Sequence, residues 1–168
     1  LFRSSAASDV YKRQRYDQYD EYDSEFSPRF ALRTQLNDNI SSKISIGKGF
    51  KTPDFRQLYF NFANSSSGYS VIGFNAAKEI IDDLLVKGQI SNLIISENEF
   101  EGNLSPETSI SFNLGFGIKT DNNISFDINF FRNQIKNLID YKIIATKTNG
   151  QNIFSYYNLN KVYTQGLE

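Results

Sequence analysis

The sequence has no cysteine, histidine, methionine or tryptophan, and these absences close several kinds of chemistry. Without cysteine there is neither a disulfide nor a thiolate nucleophile, and without histidine the usual imidazole base and the common zinc sites are gone. Serine hydroxyls then lack an activating base, so no catalytic residue is assigned and no enzyme is expected. No metal site and no cofactor is expected either. Cations are not in surplus: 18 Lys and Arg stand against 19 Asp and Glu, a net charge of -1. A phosphate-binding surface needs a clustered excess, so nucleic acid is excluded as a partner. Long apolar runs are also lacking. Mean hydropathy is -0.45, and no stretch approaches the roughly 18 apolar residues of a membrane-spanning helix. Crossing by strands stays open, because alternation dilutes their apolar residues.

What is plentiful is aromatic: 15 Phe and 10 Tyr make up 15% of the chain, while all apolar residues reach only 39%. Membrane barrels concentrate aromatics in this way, in girdles at the two interfaces and on the lipid face. The chain opens on Leu1 and stops at Glu168 inside a patterned segment, so it is expected to be a piece of a longer protein. Residues 1–14, LFRSSAASDVYKRQ, have no clean period and resemble translated sequencing-adapter read-through. They are expected to be a non-native leader, the alternative being a genuine terminal strand or tail. The domain proper is then 15–168.

From residue 27 the pattern becomes regular. Phe30, Leu32, Thr34 and Leu36 fall on one side of a strand, with Arg29, Ala31, Arg33 and Gln35 on the other. After a turn at Asn37, Asp38 and Asn39, Ile40, Ile44, Ile46 and Phe50 alternate with Ser41, Lys43, Ser45, Gly47 and Gly49. Residues 108–119 set Ile110, Phe112, Leu114, Phe116 and Ile118 against Ser109, Ser111, Asn113, Gly115, Gly117 and Lys119. A second short turn at 120–123 leads to Ile124, Phe126, Ile128 and Phe130 opposite Asn123, Ser125, Asp127 and Asn129. Beyond Phe131 the alternation blurs, as where a strand leaves a bilayer. A last strand is expected over 153–168, with a kink or bulge at 158–161.

Connections alternate between short turns and long loops: three or four residues, then more than fifty, then a short turn, then about a dozen. Outer-membrane barrels have this arrangement, although the strand pattern alone also fits a soluble sandwich. The expected fold is all-β, a partial antiparallel transmembrane β-barrel of about five strands with one short helix in a long extracellular loop. The apolar face would meet lipid, and the face with Arg29, Arg33, Lys43, Asn113 and Asp127 a polar lumen. A charge on the lipid side at mid-depth would cost roughly 2 to 4 kcal/mol.

Residues 49–60, GFKTPDFRQLYF, resemble the strand-end and loop signature of TonB-dependent outer-membrane receptors. RYD at 15–17, SPRFAL at 27–32, LSPETSISFNLGF at 104–116 and NLNKVYTQGLE at 158–168 are similar to further family segments, in the family's order. The signature positions are Gly49, Phe50, Pro53, Leu58, Tyr59, Gly166 and Glu168. Pro53 cannot donate to a ladder and should end its strand. Gly47 and Gly49 either make room for a close neighbour, in this family the plug, or serve strand twist or a bulge.

The resemblance implies a bacterial outer-membrane receptor of about 22 strands around a plug, taking up a scarce nutrient such as a ferric siderophore. Its partners would be outer-membrane lipid, a small-molecule or metal-chelate substrate, and TonB acting through an N-terminal plug region outside this chain. A passive porin or adhesin-like barrel is the alternative. Candidate ligand contacts are the loop residues Arg56, Tyr59, Tyr69, Tyr141 and Lys147. Residues 76–87 read as a surface helix with Ala77, Ile80, Ile81, Leu84 and Leu85 on one face, capped by Asn75 and stopped by Gly88. The acidic stretch RYDQYDEYDSEF, 15–26, lacks the glycine and terminal Glu of an EF-hand and reads as a solvated loop.

Overall fold

A computed structural model describes residues 8–120 and 124–168. In chain order the elements are β1 (Ser8–Arg13), β2 (Tyr16–Asp17), β3 (Glu25–Phe26), β4 (Arg29–Asn37), β5 (Ile40–Lys51), α1 (Phe55–Tyr59), β6 (Asn61–Asn64), β7 (Tyr69–Ile72), α2 (Phe74–Val86), β8 (Ile90–Leu93), a 3-10 turn (Glu97–Phe100), β9 (Glu107–Lys119), β10 (Ser125–Lys147) and β11 (Asn152–Leu167). Five of these strands are long, as expected from the pattern. The sheet order is β1-β4-β5-β9-β10-β11-β7-β6, with β8 on β10. Its ends are not joined to each other. The chain divides into two compact units.

The first unit holds residues up to Lys51, Thr108–Lys136 and Lys161–Glu168. Alternation puts Phe30 opposite Ile46 and Leu32 opposite Ile44 in the β4–β5 ladder. It likewise puts Phe126 opposite Ile118 and Ile128 opposite Phe116 in the β9–β10 ladder. These side chains are not buried: Ile46 is 50% and Phe126 55% exposed. An apolar face left open to this degree marks contact with another apolar phase. On the opposite parity the rows are polar or small, with Ala31 facing Ser45, Arg33 facing Lys43, Asp127 facing Gly117 and Asn129 facing Gly115. Asn113 Nδ2 donates to Ser45 Oγ at 3.2 Å across that face. The turn at Asp38 and Asn39 is closed by the Asn39 amide donating to Asn37 Oδ1 at 2.9 Å. The expected turn at 120–123 lies, for 121–123, outside the described residues.

Gly47 and Gly49 do meet close neighbours, and these come from flanking strands. A Cβ on Gly47 would stand 3.1 Å from Arg29 Nε, and one on Gly49 would stand 2.5 Å from Ser109 Oγ. Ser8–Arg13, where the sequence offered no period, pairs antiparallel with β4 from Ser8↔Thr34 to Arg13↔Arg29. Every residue of that strand is exposed. Ladder bonds come from main-chain groups, so a strand edge accepts an extended segment whatever its side-chain pattern.

The second unit holds Thr52–Glu107 and Asn137–Asn160. Its core joins Leu58 of α1, Ile72 of β7, Phe74, Ala77 and Ile81 of α2, Ile139, Ile144 and Ala145 of β10, and Ile153 of β11. The expected helix is present, with Ile80, Leu84 and Leu85 packed against that core. It starts at Phe74, two residues before the expected bound, and Asn75 lies inside it rather than capping it. The cause is packing. Gly73 at the N-cap lies against the main chain of Leu58 and Tyr59, and its amide donates to Phe60 O at 2.6 Å, so Phe74 enters the core already helical. Gly88 closes the far end at φ +65, as the sequence indicates.

One expectation about the C-terminal strands is corrected. Past Phe131 β10 continues to Lys147 and returns through residues 148–151, so the expected loop of about a dozen residues is a four-residue turn. The Lys147 amide donates to Gln151 O at 2.8 Å, and Gly150 takes φ +83 there. At 158–161, where a kink or bulge is expected, β11 is continuous, and Asn137 of the neighbouring β10 takes φ +55. Asn158 serves that site: its Nδ2 donates to Asn137 O at 2.8 Å and to Ser105 O at 2.9 Å, while Oδ1 accepts from the Ser105 amide at 2.8 Å.

Candidate functional site

The candidate site lies in the second unit, and all five candidate ligand residues fall within that unit. β7 joins β11 in parallel, with Tyr69 beside Asn152 and Val71 beside Phe154. β6 and β7 form a hairpin closed by Gly68 at φ +70, whose amide donates to Asn64 O at 2.9 Å. Alternation then sends Ser70 and Ile72 into the core, while Tyr69 and Val71 point the other way. The result is a row of rings. Phe60 stacks on Phe62 at 5.7 Å, Phe62 meets Tyr69 edge-on at 6.4 Å, Tyr69 meets Phe154 at 6.2 Å, and Phe154 meets Tyr141 at 6.0 Å. Tyr69, Val71, Tyr141, Phe154 and Tyr156 line an open groove of about 310 Å³.

Of the five candidates, only Tyr69 and Tyr141 line this groove, and Tyr141 is 61% exposed. Lys147 reaches Ser70 Oγ at 3.1 Å, and Ser70 points to the core side of β7. Arg56 and Tyr59 are on α1, Arg56 3.7 Å from Asp54 and Tyr59 packed on Phe55 at 5.2 Å. Sequence reasoning missed Val71, Phe154 and Tyr156. Their signal was the i, i+2 spacing in YSV and FSYY, but the pairing of segments some eighty residues apart has no local trace.

The signature residues have structural work. β5 ends at Lys51, with Pro53 buried two residues beyond it. Asp54 caps α1: its Oδ1 accepts from the Gln57 amide at 2.7 Å, while Gln57 Oε1 accepts from the Asp54 amide at 2.9 Å. Leu58 is buried, Phe50 packs on Tyr19 at 5.6 Å, and Gly166 lies under the Phe131 ring. Glu168 exchanges two main-chain bonds of 2.9 Å with Asn129.

In the acidic stretch Tyr16–Asp17 pairs with Glu25–Phe26, Glu25 is ion-paired to Lys48, and Arg15 Nε donates to Asp17 at 2.8 Å. That hydrogen bond and the carboxylate charge raise the Arg15 pKa further, so it stays cationic throughout the working pH range. Among the described residues no three carboxylates converge as a metal site, and no helix is long and apolar enough to cross a membrane.

Long antiparallel strands with an open apolar face and a polar reverse define a partial transmembrane β-barrel. The family described as TonB dependent receptor-like, beta-barrel matches residues 11–168, and the chain belongs to that family. Its place is the bacterial outer membrane. It is 25% identical over 158 residues to the ferrienterobactin receptor of Escherichia coli strain K12, covering 92% of this chain and 18% of that receptor. The chain thus spans about a fifth of that relative's length. Among solved structures, the siderophore receptor PirA of Pseudomonas aeruginosa superposes with a TM-score of 0.67 at 22% identity, covering 96% of this chain and 27% of the other. A mutant of the ferric enterobactin receptor PfeA of the same organism, in complex with enterobactin, gives 0.60 at 20%, covering 96% and 22%. At these identities the structures speak for the fold. The family consists of transport receptors, not enzymes.

Proposed function

We propose that this chain is part of a receptor for active uptake of a small metal chelate, a ferric siderophore being the leading class, driven by TonB through a plug encoded outside these residues. The observation that carries the reading is the groove of Tyr69, Val71, Tyr141, Phe154 and Tyr156. Rings on a strand scaffold lose little conformational freedom and offer broad faces to a flat ligand. The names of its relatives support the same substrate class, for those proteins are siderophore receptors. Import of this kind breaks no bond in the ligand, which agrees with the missing imidazole and thiol. Arg56, Tyr59 and Lys147 stay as proposed contacts of lower rank, since they lie away from the groove.

The test uses the full-length receptor and ferric siderophores. Tyr69→Ala with Tyr141→Ala should weaken binding by about tenfold or more, on the order of two lost stacking contacts. Unchanged affinity would remove the groove from the site. The rival, a passive porin or adhesin-like barrel, has no plug and would pass small solutes without TonB, so uptake in a strain lacking TonB separates the two. Residues 1–14 are proposed to be a non-native leader. Residues 1–10 lie outside the family match, which supports this for that stretch, while 11–14 lie inside it; β1 would then occupy the β4 edge that a native strand takes in the gene's own product.

A further inference from the structure

The apolar face of the first unit changes character at one end. On β10 the parity that carries Phe126, Ile128 and Phe130 goes on to Arg132, Gln134 and Lys136. In the β9–β10 ladder Arg132 stands opposite Phe112 and Lys136 opposite Thr108, so both cations lie on the apolar side of the sheet. β11 adds a third. Asn129 and Glu168 exchange main-chain bonds of 2.9 Å, which marks an antiparallel pair, and the Phe131 ring lies against Gly166 as that register requires. Counting along the strands from this pair sets Tyr163 across from Gln134 and Lys161 across from Lys136. Arg132, Lys136 and Lys161 are all exposed.

No carboxylate shares this face on these strands. Glu107, Asp127 and Glu168 fall on the opposite parity, and Glu107 accepts from the Ile139 amide at 3.1 Å. Among the described residues Arg132, Lys136 and Lys161 form no ion pair. Lys48, on the apolar parity of β5, is by contrast ion-paired to Glu25. The Arg132 guanidinium lies over the Tyr163 ring, 5.4 Å from its centroid. That ring is level with Gln134, so the charge leans away from Phe130 and toward Lys136 and Lys161. The short connection between β9 and β10 is at the other end of the ladder. Short connections are periplasmic in outer-membrane barrels, so the cations stand at the external leaflet, where a charge on the lipid side costs little.

We infer that Arg132, Lys136 and Lys161 hold the phosphate of a lipid headgroup in the external leaflet. A guanidinium flanked by ammonium groups gives a phosphate both directed hydrogen bonds and charge. The same face continues into Phe112 and Phe130, which meet edge-on at 6.4 Å and offer the acyl chains an apolar wall. A free anion would use the cations alone, whereas a phosphorylated lipid uses the whole surface. The inference rests on the barrel and its membrane, not on which substrate the receptor carries.

The test places the full-length receptor in phosphatidylcholine nanodiscs containing either lipid A, an acylated sugar bearing phosphates, or the same lipid after phosphatase treatment. Native mass spectrometry reads how much of each stays on the protein. The wild type should retain the phosphorylated lipid in preference. Lys136→Gln alone should weaken its retention by about fivefold, and Lys136→Gln with Arg132→Gln and Lys161→Gln by about a hundredfold. Retention of the phosphatase-treated lipid should not change, which shows that the apolar wall is intact; if the triple variant loses both lipids, the single variants decide on the same ratio. Lys48→Gln should behave as the wild type. Equal retention of the two lipids by the wild type, or an unchanged preference once the cations are replaced, overturns the inference. An equal loss in Lys48→Gln overturns it too, because diffuse charge would then suffice. If inorganic phosphate at the concentration of the lipid displaces lipid A, the site is one for free anions and the lipid assignment fails.

Discussion

At the scale of single residues, glycine and asparagine set the conformations on which the second unit depends. Gly73 is the sharpest case. A Cβ there would be 2.5 Å from the Leu58 carbonyl carbon and from the Tyr59 nitrogen, and main chain cannot give way as a side-chain tip can. Gly73→Ala should therefore destabilise the α1–α2 packing by about 1 to 3 kcal/mol. Hydrogen exchange across Phe74–Val86 in the full-length receptor should speed up accordingly, and unchanged protection would mean that the main chain had shifted at little cost. Of the two glycines at the ends of α2 the sequence revealed only Gly88, because a glycine after a periodic run is a local signal whereas close approach between Gly73 and Leu58 is a tertiary one.

At the scale of elements, β10 carries two patterns joined at Asn137. Up to Lys136 it pairs with β9, ending at Lys136↔Thr108. Beyond that point Ile139 donates its amide to Glu107 Oε1 at 3.1 Å, and the strand goes on to pair with β8. Asn137 at φ +55 is the break, and Asn158 clamps it to Ser105. Asn158→Ala removes three hydrogen bonds of about 1 kcal/mol net each. Exchange at Ser105 and around residues 137–139 should accelerate, while amides in the β9–β10 ladder keep their protection. Equal loosening of both regions would show that the clamp is not local. The period-two pattern faded after Phe131 because the strand leaves a two-sided apolar and polar environment for a packed core holding Ile139, Ile144 and Ala145, not because the strand ends.

At the scale of the whole molecule, the two faces of the first unit call for opposite solvents. On β9 the apolar parity runs from Ile110 to Ile118, nine residues, close to the 9 to 11 that a tilted strand needs to cross a bilayer. Ile128→Lys, on the apolar face, should cost roughly 2 to 4 kcal/mol in the membrane-inserted receptor, whereas Ser111→Lys, on the polar face, should cost little. Equal effects in unfolding measurements from vesicles would remove the assignment of lipid to the apolar side.

The sequence by itself determined the long strands up to Phe131, which parity is apolar there, and the helical face of Ala77, Ile80, Ile81, Leu84 and Leu85. These are periodicities of 2 and 3.6 written into neighbouring residues, and elementary geometry turns them into faces. Only the tertiary structure decided that residues 69–72 run parallel to 152–155, that Asn158 supports a turn of main chain at Asn137, and that Tyr69 and Tyr141 share a groove while Arg56 and Lys147 do not. Those facts depend on pairings between distant segments. The backbone groups that make such pairings are the same at every residue, so nothing in the local order of side chains records the choice of partner.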